Sequence, residues 1–69
     1  MTDHDYRRYR AACDYLRQLM AGEFRDDRAE RDVLAEVIAG LQSTDDPLLV
    51  PLYEALLPRW ELLRSKRRT

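Results

Sequence analysis

Cysteine occurs once in this chain, at Cys13, so no internal disulfide can form, and no CxxC or HxxxH pair has the spacing of a structural zinc site. Histidine also occurs once, and His4 stands between Asp3 and Asp5, where successive side chains at a helix start point in different directions. A metal or general-base role needs convergent partners, and this pattern supplies none. Glycine is limited to Gly22 and Gly40, which leaves no glycine-rich loop to cradle a phosphate. No apolar run approaches the ~20 residues that a bilayer-spanning helix requires. The opening Thr2, Asp3, His4 and Asp5 form neither the basic flank nor the apolar run of a secretory leader, so a cytoplasmic location is expected. Alternation of apolar and polar residues, the mark of a half-buried strand, is missing as well. These absences argue against catalysis, a bound cofactor, a metal site and a membrane role.

What remains is a short, charged, periodic chain. Sixty-nine residues make one domain, spanning 1–69, that buries only ~60% of its unfolded surface. With a disulfide and a metal excluded, a second subunit is the remaining reinforcement for so small a core. The expected fold is therefore an all-α three-helix bundle completed by dimerisation. Thr2 with Asp5 fits a capping box, and Gly22 suits a left-handed terminator, so helix 1 is expected over about 3–21. Asp26 or Asp27 caps helix 2, expected over about 27–42 and passing or stopping near Gly40. Asp46 followed by Pro47 opens helix 3, expected over about 47–65. Pro58 breaks the rule against interior proline. Yet Leu49, Tyr53, Leu56, Trp60 and Leu63 keep one phase across it, which predicts a continuous helix kinked at Pro58.

Helix 1 carries more apolar surface than one core needs. Tyr6, Tyr9, Cys13, Leu16 and Met20 recur at three-four spacing and form the expected core stripe. That phase takes both tyrosines of the segment YRRYR inward and leaves its arginines outside. Ala12, Tyr15 and Leu19 form a second stripe, and Leu48, Val50, Leu57 and Leu62 widen the apolar face of helix 3. Helix 2 is simpler, with Val33, Leu34, Val37, Ile38 and Leu41 on one side. Surplus apolar surface on this scale predicts contact with another protein or a second copy. The expected interface comprises Arg8, Ala12, Tyr15 and Leu19 from helix 1 with Leu57, Arg59 and Trp60 from helix 3.

Charge is nearly balanced, at a formal net of -1, but it is unevenly placed. In an up-down-up bundle the basic end of helix 3 lies beside Asp26, Asp27 and Glu30, and the start of helix 1 lies beside Asp45 and Asp46. Such pairing cancels the positive field that phosphate binding depends on. The leading expectation is a non-catalytic helical interaction module with the profile of a phage- or plasmid-type accessory regulator or inhibitor, one that occludes a host protein. The alternative is a DNA- or RNA-associated regulator. It would use Arg7 and Arg10 with the basic tail at about 64–69, where Arg64, Lys66, Arg67 and Arg68 are the candidate phosphate contacts.

Overall fold

The computed structural model describes residues 2–66, with the side chain of Lys66 outside that set. Three helices run in order: α1 over Asp3–Met20, α2 over Asp27–Gln42 and α3 over Val50–Lys66. No strand occurs among the described residues, and the all-α expectation holds.

Each helix end is explained by local chemistry. The Thr2 hydroxyl accepts from the Asp5 backbone N–H at 3.1 Å, and Asp3 and Asp5 add negative charge where the helix dipole favours it. At the other end Gly22 adopts φ +68°, a conformation that resists side chains with a Cβ. The N–H groups of Gly22 and Glu23 then reach back to the carbonyls of Leu19 and Gln18, which is the Schellman closure. Asp26 caps α2, its carboxylate accepting from the Ala29 N–H at 2.8 Å. Glu30, in the first turn of α2, points into the core. Gly40 does not terminate α2, which continues to Gln42 and ends with Ser43 as its cap. The Asp46 carboxylate accepts from the Leu48 N–H at 2.8 Å, and its carbonyl accepts from Leu49 and Val50. Asp46 and Pro47 thus open the turn that leads into α3, although the regular helix begins a few residues later than sequence spacing suggested. α3 runs without interruption through Pro58.

α2 is the central element. It packs directly on both α1 and α3, whereas α1 and α3 meet among the described residues only through side chains. The molecule measures 38 × 23 × 15 Å; its thinnest dimension is little more than one helix diameter of ~10–12 Å. The core consists of Ala12 and Tyr15 from α1, Leu34, Val37, Ile38 and Leu41 from α2, Leu49 just before α3, and Leu56 and Leu63 within it.

This core contradicts the expected orientation of α1. Tyr6, Tyr9 and Met20, assigned inward by their spacing, are 55%, 44% and 87% exposed, while Ala12 and Tyr15 are fully buried. Two physical features favour the second stripe. Ala12 is small and fully buried, and one turn before it the Arg8 side chain lies over Gly40, where a Cβ would be 3.3 Å from Arg8 Cγ. This line of α1 therefore packs against α2. Tyr15 also supplies an O–H that reaches a buried acceptor. The Tyr6 and Tyr9 hydroxyls make no such long-range bond.

Candidate interaction surface

The buried polar group that fixes the orientation of α1 is Glu30, 3% exposed. Its Oε2 accepts from the Tyr15 hydroxyl at 2.7 Å and from Arg59 Nε at 2.6 Å, and its Oε1 accepts from Arg59 Nη2 at 2.6 Å. One carboxylate therefore joins all three helices. A bidentate guanidinium is the strong form of this pair, and no buried side-chain polar atom among the described residues lacks a partner. Burial and the bond to Glu30 push the Tyr15 phenol well above its ordinary range. The carboxylate likewise raises Arg59.

With Tyr15 and Ala12 committed to the core, the other stripe of α1 turns mostly outward, with Leu16 along its inner edge still packed against the core. Tyr6, Tyr9 and Met20 are its exposed members, and Cys13 and Leu16 are half-buried between them. At 1.5 Å per residue the stripe is ~21 Å long. The Tyr9 hydroxyl lies against Cys13, and this contact is the main cause that raises Tyr9. Contact with the Tyr6 side chain, followed by the charge of Asp14, raises Arg10. Along one rim stand Arg10 and Arg17, with side chains 66% and 65% exposed, reaching Asp14 only loosely at 3.7 and 3.9 Å. Along the other rim Asp5, Ala12 and Leu19 turn toward the core, Asp5 taking bonds from Arg8 at 3.0 Å and Thr44 at 2.8 Å. The Thr44 bond is the main cause that lowers the Asp5 carboxyl.

The seven residues expected at an interface do not form one surface. Ala12 and Tyr15 lie within the core. Leu19 and Trp60 are half-buried against that core, and Trp60 carries the Arg64 guanidinium 5.9 Å from its ring. Arg59 is held by Glu30, and Arg8 by Asp5. Leu57 lines an open cleft of about 400 Å³ between α2 and α3, with Leu41, Val50 and Tyr53. Of the expected phosphate contacts, Arg7 and Arg10 are exposed, and Arg64 lies 3.6 Å from Glu61. The Lys66 side chain, Arg67 and Arg68 lie outside the described residues.

Sequence reasoning missed two things here: the outward direction of the longer stripe, and the central place of Glu30. Apolar periodicity alone carried no signal for the first. For the second, an acidic residue one turn into α2, with Val33 and Leu34 following, was compatible with either a cap or a buried anchor.

Among the described residues no three His, Cys, Asp or Glu side chains converge on a metal-sized site, and no helix is long and apolar enough to cross a membrane. No family model, curated protein or solved structure matches this chain.

Proposed function

We propose that this protein is a non-catalytic interaction module, a small regulator or inhibitor that works by covering part of a partner protein through the outward face of α1. The observation that carries the reading is the exposed stripe of Tyr6, Tyr9 and Met20 on a helix whose other face already serves the core. Tyrosines combine large rigid area with a polar handle and are enriched where proteins meet. Leu48 and Leu62, 70% and 47% exposed on α3, add apolar surface elsewhere. Association of two copies through apolar surface outside the α1 face, and a bend in α3 where the Pro58 ring crowds the carbonyl four residues back, belong to the same proposal. The host-directed, phage- or plasmid-type role is its biological form.

A second reading has its own support. The tyrosines of YRRYR are exposed beside Arg7 and Arg10, an arrangement on which bases can stack. Asp14, within reach of both Arg10 and Arg17, weakens the positive field that such binding needs.

One pair of measurements separates the two. In affinity capture from the native host, the wild-type chain should retain a protein that a Tyr6→Glu/Met20→Glu variant with the same melting curve does not retain. Titration with single-stranded DNA and RNA should show no binding with a steep salt dependence. Loss of nothing on mutation, with steeply salt-dependent polynucleotide binding instead, would transfer the function to the second reading.

A further inference from the structure

The chemistry of the occupant can be read from the stripe and its rims. Tyr6, Tyr9, Cys13, Leu16 and Met20 follow the three-four alternation of a coiled-coil seam, which is complementary to another helix carrying the same alternation. Arg10 and Arg17 each follow a seam residue and stand on one rim, while the residues preceding Tyr6, Cys13 and Met20 on the other rim belong to the core side. One carboxylate, Asp14, serves two guanidiniums at 3.7 and 3.9 Å. Asp3 stands on the same rim at the helix start, so from Tyr9 onward the accessible rim carries two guanidiniums against one carboxylate and is net positive.

A second copy fits this rim poorly. In an antiparallel pair Arg10 of one copy would stand near Arg17 of the other, like charge against like. In a parallel pair Arg17 would face Ala12, and Arg10 would face an Asp5 already bonded to Arg8 and Thr44. Area points the same way. Tyr6, Tyr9 and Met20 together expose on the order of 400 Å², about half of the ~800 Å² per partner of a standard interface between two folded proteins.

We propose, resting on the interaction-module reading above, that the α1 face docks one amphipathic helix of another protein, with apolar residues at seam positions and Asp or Glu beside them. Binding of this size is transient and salt-sensitive.

Two synthetic helices of about six turns test it, both with leucine at the seam positions, one flanked by glutamate and the other by lysine. Fluorescence anisotropy with the full chain should show the glutamate helix binding at least about fivefold more tightly in low salt, and the difference should shrink as salt shortens the range of the rim charges. An Arg10→Glu/Arg17→Glu variant should reverse the preference. A Tyr9→Ser/Met20→Ser variant should bind neither helix while keeping the wild-type helicity and melting temperature. Equal binding of both helices, or binding of neither, overturns the inference. So does sedimentation showing a dimer that Tyr9→Ser/Met20→Ser dissolves, since the face then belongs to a second copy. Capture of a host protein that depends on Tyr6 and Met20, combined with no preference between the two helices, would leave the interaction module standing and remove only the acidic helix.

Discussion

Glu30 is the residue on which the three helices converge, and the two members of its ion pair with Arg59 are not equivalent. Its own side chain is 4% exposed, whereas that of Arg59 is 36% exposed. Removing Arg59 takes the countercharge from a buried carboxylate that keeps its Tyr15 bond, a change that costs about 3–5 kcal/mol in comparable sites. Removing the carboxylate frees an arginine that can turn to water and leaves one buried hydroxyl unpaired, at about 1–3 kcal/mol. Arg59→Met should therefore destabilise the protein more than Glu30→Gln in urea unfolding. The reverse order would mean that the carboxylate is better hydrated than its burial indicates. Titration gives a second check. Because the folded pKa of Tyr15 is raised, the folded state holds this proton more tightly, so stability is full below the ordinary tyrosine value of ~10 and falls as pH rises beyond it. Tyr15→Phe should flatten that alkaline decline. Asp5 behaves in the opposite sense: its lowered folded pKa gives stability that is present above ~4 and lost in acid. Asp5→Asn should remove part of the acid-side slope without touching the alkaline side.

At the level of elements, the helix boundaries follow from capping chemistry, and two glycines with similar surroundings in sequence do different things. Gly22 carries a positive φ, +68°, and Gly22→Ala should cost about 1 kcal/mol. Gly40 lies inside α2 in ordinary helical backbone, and its close neighbour is the Arg8 side chain, with Cγ 3.3 Å from an added Cβ. A flexible arginine can shift by the few tenths of an ångström required, so Gly40→Ala should gain most of the ~1 kcal/mol difference in helix propensity. Thermal melts moving in opposite directions would confirm the distinction; a destabilised Gly40→Ala would show that Arg8 cannot yield. Pro58 tests α3 in the same way. Pro58→Ala restores an N–H inside a continuous helix and should raise stability by about 1–3 kcal/mol, with no loss of helicity by circular dichroism.

Across the whole molecule, a flat layer centred on α2 leaves α1 with one face in the core and one outside. Substituting Tyr6 and Met20 by serine should thus change unfolding free energy by no more than about 0.5 kcal/mol, the usual range for surface sites, whereas Ala12→Leu should destabilise by about 1–3 kcal/mol through overpacking. A large loss in the first variant would return the long stripe to the core. Local chemistry was readable without any tertiary knowledge. Thr2, Asp26 and Asp46 bring their own hydrogen-bond acceptors to helix starts, Gly22 supplies the terminator, and a shared apolar phase carries α3 through Pro58. These interactions span at most a few residues, so the sequence determines them directly. The choice between the two apolar stripes of α1 was different. Periodicity says that both are apolar and assigns neither a partner. That choice rests on contacts across the chain: the Arg8 side chain lying over Gly40, and the Tyr15 hydroxyl meeting Glu30 fifteen residues away beside Arg59. A stripe becomes core when another element can reach it and satisfy its polar atoms, and only the packed structure decides which one that is.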